Sequence, residues 1–274
     1  MNFHNHHCSS LNNMIDFCRP SKVKQRLFKY YPLTPYHLES FKRHELFFAR
    51  PSMLNDSFDT SVRMIDPYKS FKERIGWGEG MGQMLDYHGI CSFTEGKDVN
   101  NEMMWSFYAN NFQGYAIEYN PEALYDKYAP AVLSKVKYLK KPLNLDNDNL
   151  RLKISDEVFS IKQVNQDDPK YCDRLFHCLH LVKSSIWSRE NEWRIIMGNR
   201  GTNHGFNMNA MKQGYYLNVE TKVYRALFVG YRVPNKELEC LMDIASGYSI
   251  NVYMVEPSIM HGKWDIIIRL KKVA

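Results

Sequence analysis

The sequence predicts a single α+β domain in which short strands alternate with irregular helices. The chain has 274 residues, 44% of them hydrophobic and 24% charged, which is an ordinary composition for a globular protein with a sizeable core. Short runs rich in aromatic and β-branched residues predict strands between segments of helical spacing. Neither a G-x-G-x-x-G sequence nor a Walker loop is present, so a regular doubly wound sheet is not predicted.

The first elements carry clear local signals. A strand is predicted at 26–31, a run rich in aromatic residues. Thr34 followed by Pro35 is a capping residue before a first-turn proline, and this pair predicts the start of a helix. A second strand is predicted at 46–49, and a turn-rich loop follows at 50–59.

The middle of the chain begins with a segment that is weakly helical. Glycines at every second position from Gly76 to Gly82 disfavour one continuous helix over 62–86. Alternating and helical spacings then predict a strand, a helix, a strand and a short helix, at 89–94, 101–111, 114–119 and from Pro121 onward.

The C-terminal half is predicted to contain an insertion. A strand at 134–139 precedes a polar, acidic stretch at 144–168, which we interpret as an insertion or exposed helix. Apolar residues spaced by three or four predict a long helix over 169–187, so the insertion around 144–187 is expected to be helical. The remaining elements are a strand, a second strand, a helix and two strands, predicted at 190–197, 224–229, 235–245, 250–255 and 264–270.

Charge and cysteine usage restrict the class of protein. The formal net charge of +6 permits a nucleic-acid partner without requiring one, because the basic residues are scattered. The six cysteines form no C-x-x-C pair, so reduced thiols and no metal site are expected. No run approaches the roughly 18 apolar residues of a membrane helix, and the N-terminus lacks the pattern of a signal peptide. We therefore expect a cytoplasmic protein without membrane association, with a flexible leader at 1–22 and one domain at 23–274.

The segment with the most unusual charge pattern is Glu190-Asn191-Glu192-Trp193-Arg194. On a strand, Glu190, Glu192 and Arg194 share one face because the side-chain period is two. Two neighbouring carboxylates repel each other unless a cation or ligand offsets their charge. The pattern is compatible with a catalytic site and equally with the solvated face of an edge strand.

Two further segments allow a functional or a structural interpretation. Trp105 and Tyr108 are three residues apart on the predicted helix, so they are neighbours that could form a platform for a flat ring or pack into the core. The helix face is expected to carry Met104, Phe107, Tyr108 and Asn111. The stretch from Asn55 to Asp59 is typical of a structural turn or of a loop that closes over a ligand.

Four motifs in this order resemble a widespread bacterial family of unknown function, the domain-of-unknown-function 2971 family. The motifs are Phe28-Lys29-Tyr30-Tyr31, Asn55-Asp56-Ser57-Phe58, Met104-Trp105-Ser106-Phe107-Tyr108 and Glu190-Asn191-Glu192-Trp193-Arg194. Ser57 stands where the family pattern has proline. The resemblance extends over about residues 26–235.

That family is in turn similar to the ADP-ribosyltransferases, particularly their poly-ADP-ribose polymerase branch. The resemblance implies a split pair of small sheets with peripheral helices, which grips NAD, a co-substrate, in a cleft. It implies that Glu192 contacts the nicotinamide ribose and stabilises its developing positive charge, while Glu190 orients or deprotonates the accepting nucleophile. The implied cofactor-binding residues are Lys29, Tyr30, Asn55, Ser92, Trp105, Ser106, Tyr108 and Arg194.

The same resemblance implies an NAD-dependent transferase acting on a macromolecular acceptor, either protein or nucleic acid. Related bacterial families include toxins and phage-defence effectors, so an antitoxin partner is a further expectation. The alternative is a non-catalytic nucleic-acid-binding module that uses the same basic and aromatic residues for phosphate contact and stacking. A third interpretation is a thiol hydrolase that uses Cys91 with His88.

Overall fold

The computed structural model describes residues 14–16, 23–59, 86, 88–127, 132–145, 147, 149–154, 157–164, 169–197 and 214–271. Most of the predicted leader at 1–22 and nearly all of the glycine-rich segment at 62–86 lie outside the described residues, and so does the stretch 198–213.

The described residues contain fifteen strands. In chain order they are β1 (Met14–Asp16), β2 (Arg26–Tyr31), β3 (Glu45–Phe48), β4 (Gly89–Gly96), β5 (Tyr115–Tyr119), β6 (Val132–Lys135), β7 (Lys137–Leu139), β8 (Arg151–Ile154), β9 (Glu157–Ser160), β10 (Val182–Ser184), β11 (Glu192–Met197), β12 (Tyr215–Asn218), β13 (Tyr224–Gly230), β14 (Asn251–Met260) and β15 (Lys263–Lys271).

Five α-helices lie among the described residues. They are α1 (Pro35–Lys42), α2 (Glu102–Phe107), α3 (Pro121–Lys127), α4 (Pro169–Leu179) and α5 (Asn235–Gly247). Helix α1 begins as predicted, because the Thr34 side chain accepts a hydrogen bond from the backbone N–H of His37. Short 3-10 helices lie at Pro51–Met53, Ile161–Gln163, Ser185–Glu190 and Thr221–Val223.

Eight strands form a mixed central sheet in the order β15-β14-β13-β5-β2-β4-β11-β6. Its neighbours are antiparallel except for β13 and β14, which run parallel. Smaller sheets are formed by β1-β8-β9, by β10 with β7 and by β12 with β3. The prediction of a mixed α+β fold is therefore confirmed.

The central sheet is split locally between β2 and β4. These strands are paired only where Arg26–Phe28 meets Thr94–Gly96. Beyond these pairs both strands continue without further pairing to each other, and residues from both line one cavity. The predicted pair of separate small sheets thus differs from the structure, in which three residue pairs join the two halves into one hydrogen-bonded sheet.

The sheet has apolar residues on both faces. On β2, Leu27 and Tyr31 lie in one buried cluster, whereas Phe28 and Tyr30 lie in another. This alternation follows from the side-chain period of two in a strand. Lys29 shares the parity of Leu27 and Tyr31, and the cavity is lined by β2 residues of both parities, Phe28, Lys29, Tyr30 and Tyr31.

The described residues of 144–168 contain a pair of strands, β8 and β9, and not the exposed helix that was one of our two predictions. Strands β8 and β9 pair antiparallel, and β1 adds to β8 in parallel. The buried residues of this unit form a separate core with α4, including Leu152, Phe159, Leu175 and Leu179. The alternation at Arg151–Ile154 was obscured by the polar residues around it, and the three residues of β1 are part of the fold and not of a leader.

Three predicted elements end earlier or are divided. The helix expected over 169–187 ends at Leu179, because Val182–Ser184 pairs with β7 as a strand. The helix expected over 101–111 ends at Phe107, and the following Asn110, Asn111 and Phe112 adopt positive φ values. Phe107 is therefore exposed instead of sharing a buried face with Met104. The strand expected at 134–139 is divided at Val136 into β6 and β7, which belong to different sheets.

Replacing Gly114 with alanine is expected to destabilise the fold by at least about 2 kcal/mol, a typical cost of overpacking. An added Cβ would lie 2.1 Å from the carbonyl oxygen of Tyr31 and 3.0 Å from that of Ala109, both backbone atoms. The measurement is the urea midpoint at unchanged slope. Gly247→Ala is the matched control, because a Cβ there meets nothing within 4 Å; equal midpoints for the two variants would contradict the prediction.

Candidate functional site

The cavity between β2 and β4 has a volume of about 340 Å³, which is within the range of small-molecule sites. Its floor is apolar, with Phe28, Ile90, Phe93 and Met104 among the lining residues. Its polar lining includes Tyr108 and the charged residues of β10 and β11, together with Lys29, His37 and Ser40. The cavity therefore combines a shape for an apolar ring with a strongly polar wall.

Five charged side chains form a buried cluster in this wall. We call the set Asp59, Lys183, Glu190, Glu192 and Arg194 the charge cluster, and each member is at most 5% exposed. They come from the turn after Pro51–Met53, from β10, from the end of the 3-10 helix Ser185–Glu190 and from β11. Charged residues are almost never buried to this extent unless they are paired.

Arg194 pairs with two of the carboxylates at once. Its NH1 and NH2 donate to Asp59 at 2.8 and 2.6 Å, and its Nε and NH2 donate to Glu192 at 2.7 and 2.9 Å. NH1 also donates to the His180 carbonyl at 2.8 Å. The flat guanidinium fork is suited to such bidentate contacts. Despite the cost of burial, Asp59 and Glu192 hold the pKa of Arg194 well above its ordinary value.

Lys183 connects Glu190, the third carboxylate of the charge cluster, to Asp59 and Glu192. Its Nζ donates to Glu190 Oε2 at 2.6 Å and lies 3.3 Å from Glu192 Oε2 and 3.2 Å from Asp59 Oδ2. Burial disfavours the charged ammonium, but the nearby carboxylates outweigh it and raise the pKa of Lys183. With three acids and two bases, the fully ionised cluster carries one excess negative charge.

The pKa values of Glu190 and Glu192 are shifted in opposite directions. Burial raises the pKa of Glu190, Lys183 opposes this, and the charge of Glu192 adds to it, so that the pKa stays above the ordinary value. Burial would also raise the pKa of Glu192, but the charges of Arg194 and Lys183 lower it to about 2. Two carboxyl groups with diverging pKa values are the pattern of an acid–base residue beside a permanently ionised one.

Tyr108 and Asn55 extend the cluster toward the cavity. Tyr108 Oη donates to Glu190 Oε1 at 2.5 Å, and Asn55 Nδ2 donates to Tyr108 Oη at 3.1 Å. Burial, followed by the charge of Glu190, raises the pKa of Tyr108. The phenol is therefore a neutral donor, and it stabilises the ionised form of Glu190.

A left-handed residue brings Glu190 and Glu192 to the same wall. Asn191 has φ of 46°, a conformation that Asn tolerates better than most residues. Its Nδ2 donates to the Glu95 carbonyl at 2.6 Å. The convergence of Glu190, Glu192 and Arg194 was predicted from a continuous strand, but β11 begins only at Glu192. The three side chains converge as predicted, although Glu190 lies at the end of a 3-10 helix and not on the strand.

Lys29 lines the cavity from β2, at the split in the sheet. Its Nζ donates to the Ser92 carbonyl at 3.0 Å and lies 5.7 Å from the centre of the Tyr31 ring and 5.8 Å from that of Phe93. Among the described residues, no carboxylate forms a salt bridge with it. Its charge is therefore available to an anionic ligand.

Most of the predicted site residues line the cavity: Lys29, Tyr30, Asn55, Ser92, Tyr108, Glu190, Glu192 and Arg194. Tyr30 contributes to the lining, although its hydroxyl donates to the Val99 carbonyl.

Two predicted cofactor-binding residues, Trp105 and Ser106, do not line the cavity. Trp105 is fully buried, donates from its indole N–H to Val99 and stacks on Phe112 with ring centres 5.2 Å apart. Trp105 packs into the buried core that contains Phe28 and Tyr30, which is the structural alternative stated for it above, and forms no ligand platform.

The sequence did not reveal the role of Asp59, and it did not place Lys183 beside the buried carboxylates. Asp59 closes the turn that begins at Asn55, and its bonds to Arg194 fasten that turn to the sheet. A single lysine in the apolar run around Leu181 and Val182 is the signal that could have identified Lys183. The thiol interpretation is not favoured, since Cys91 is fully buried and burial raises its pKa, although Lys29 partly opposes this.

Fold and site together define an α+β protein with a buried charge cluster at a cleft in a locally split sheet. Residues 104–195 match the model of the family described as protein of unknown function (DUF2971). The prediction of this family is therefore confirmed, and the matched segment contains Tyr108, Lys183, Glu190, Glu192 and Arg194. No curated protein and no solved structure matches the chain.

Among the described residues, no helix has both the length and the apolar character needed to cross a membrane. Nor do those residues contain a group of three or more His, Cys, Asp or Glu side chains that could hold a metal ion.

Proposed function

We propose that this protein is an NAD-dependent ADP-ribosyltransferase that acts on a protein or nucleic-acid acceptor. The observation that carries the proposal is the pair Glu190 and Glu192, two buried carboxyl groups whose pKa values are shifted in opposite directions on the wall of one cavity. The cavity lies in a split of the central sheet, which is the location that the family resemblance implies for NAD.

The proposed reaction breaks the bond between nicotinamide and ribose. The acceptor nucleophile forms a bond to the anomeric carbon, nicotinamide leaves with the bonding electron pair, and the proton of the nucleophile passes to a base. Positive charge develops on the sugar in the transition state, and fixed carboxylates stabilise it there. The excess negative charge of the charge cluster supports this role.

Glu190 is proposed as the base. Its raised pKa brings it closer to the operating range of a proton acceptor. Each of its two oxygens accepts one hydrogen bond, Oε1 from Tyr108 and Oε2 from Lys183. Both oxygens of Glu192 are engaged by Arg194, and Lys183 approaches one of them. Glu192 is thus suited to act as a fixed negative charge, and Glu190 has more capacity to accept a hydrogen bond from substrate.

The other lining residues suggest how NAD would lie. The nicotinamide ring would contact the Tyr108 ring and the apolar floor, which places the ribose beside Glu190. The Lys29 ammonium would contact the pyrophosphate, because it lines the cavity and forms no salt bridge with a carboxylate of the described residues.

The direct test is nicotinamide release from NAD by the purified protein, with cell lysate as a mixed pool of acceptors. We expect release, together with a rise in melting temperature on adding NAD. Labelled NAD then shows whether protein or nucleic acid receives the label. Absence of both release and thermal shift, combined with salt-dependent nucleic-acid binding, would contradict the enzyme and support a binding module instead.

Tyr108→Phe is expected to move the acidic limb of the pH profile to higher pH. The hydroxyl of Tyr108 lowers the pKa of Glu190 by donating to its ionised form, so its removal raises that pKa. A shift on the order of one pH unit corresponds to the loss of one charge-assisted hydrogen bond. The measurement is kcat/KM for nicotinamide release against pH; a limb that stays in place would contradict the role of Glu190 as base.

A further inference from the structure

The outer edge of β15 is the most conspicuous unused feature of the fold. This strand is nine residues long and lies at one end of the central sheet. In the described part of the chain, β14 is its one strand neighbour, so its other edge is unpaired. Exposed edges of this length are normally shortened, charged or covered, because they readily pair with another strand.

This edge also exposes large apolar side chains. Trp264 is 84% exposed and Leu270 is 55% exposed. Ile259, directly opposite Trp264 on β14, is 65% exposed. Between Trp264 and Leu270 on the same face, Ile266 is buried and packs into the core that contains Phe28. The centre of the face is therefore covered by the chain itself, whereas both ends are left apolar and uncovered.

The sequence of β15 is complementary to itself. An antiparallel pairing with its twofold axis at Ile267 places Trp264 opposite Leu270, Asp265 opposite Arg269 and Ile266 opposite Ile268. Directly opposite residues share one face of a sheet and contact each other. Each of these pairs occurs twice in such a dimer, so both exposed apolar ends would be covered and two opposite-charge pairs would form.

We propose that β15 is a homodimer interface, at which a second copy of this chain pairs antiparallel about Ile267 and continues the central sheet. A twofold interface needs one surface that is complementary to itself, and the order Trp, Asp, Ile, Ile, Ile, Arg, Leu supplies it. Binding to a membrane surface or to an unrelated strand would not require a sequence that is complementary to itself. The proposal is independent of the chemistry in the cavity.

Asp265 and Arg269 can pair with a second chain while they keep the contacts that they make within their own chain. Both hydrogen bonds that Asp265 accepts, from Asn100 Nδ2 at 2.7 Å and from the backbone of Ile266 at 2.8 Å, use the same oxygen, Oδ1. Arg269 is paired with Glu256 at 2.8 Å through NH2, but its side chain is 66% exposed. The guanidinium has five N–H donors, so Arg269 can contact Asp265 of the second chain while keeping its ion pair with Glu256.

The test is sedimentation velocity over a series of protein concentrations. We expect the wild type to form a dimer, and we expect Arg269→Asp to weaken the dimer at least about tenfold, because it places two aspartates opposite each other at both ends. Asp265→Arg is expected to weaken it similarly. The double variant Asp265→Arg with Arg269→Asp restores opposite charges and is expected to restore the dimer.

Lys236→Asp is the matched control, since it makes the same change of charge at an exposed position of α5. It is expected to leave the dimer intact. Circular dichroism melts check that each variant is folded, and Trp264→Lys serves as a second disrupting variant because its side chain is mostly exposed. A monomeric wild type at all concentrations, or a double variant no stronger than the single variants, would overturn the proposal.

Discussion

Replacing Glu190 with glutamine is expected to lower the rate of nicotinamide release by about a hundredfold or more, the usual effect of removing a catalytic base. Glutamine has nearly the same shape and can still accept a hydrogen bond from Tyr108, whose donor lies 2.5 Å from the carboxylate. It cannot take up a proton from the acceptor. The loss should therefore appear in kcat more than in KM.

The variant should remain folded. Glu190 has a raised pKa, so the fold gains less from its ionisation than from that of Glu192, and a neutral side chain at 190 is tolerated more readily. The charge cluster also becomes electrically balanced, with two acids and two bases. Wild-type activity in a folded Glu190→Gln protein would exclude Glu190 as the base.

The matched control is Glu118→Gln. Glu118 is also buried and paired with a cation, Arg26, but it does not line the cavity. Neutralising it is expected to lower stability while leaving nicotinamide release per folded molecule unchanged. An equal loss of release in both variants would indicate that the effect of Glu190→Gln comes from general damage to buried ion pairs.

The site could be predicted where its residues share short motifs. Glu190, Glu192 and Arg194 lie within five residues, and local periodicity was sufficient to place them together. The contribution of Asn55 and Tyr108 came from the family resemblance and is consistent with the observed chain of hydrogen bonds from Asn55 through Tyr108 to Glu190. Asp59 was not predicted, because its contact with Arg194 spans 135 positions and no local pattern reveals such a contact.

The errors in the fold have the same origin. Val182–Ser184 has helical apolar spacing, but its backbone pairs with β7, so tertiary contacts override the local signal. The helix expected over 101–111 ends at Phe107, and the positive φ values from Asn110 to Phe112 were not foreseen from the local spacing. Residue types predicted the convergence of Glu190, Glu192 and Arg194 better than they predicted the boundaries of the elements that carry these residues.

Replacing Arg194 with methionine is expected to destabilise the protein by about 3–5 kcal/mol, as is typical when one partner of a buried ion pair is removed. Arg194 is fully buried and makes bidentate contacts with both Asp59 and Glu192. Methionine fills a similar volume but leaves two carboxylates with Lys183 as their remaining cation. The measurement is the free energy of unfolding in urea at neutral pH.

The pH dependence of this loss in unfolding free energy distinguishes the electrostatic contribution of Arg194 from its packing contribution. In the wild type the pKa of Glu192 is lowered to about 2, so its stabilising contribution is present above the ordinary carboxyl pKa of 4.5 and is lost as the pH falls toward 2. Without Arg194 that pKa rises, and the carboxyl group protonates earlier. The difference in unfolding free energy between wild type and Arg194→Met should therefore narrow as the pH falls through this range. A difference that is constant with pH would mean that Arg194 acts through packing alone.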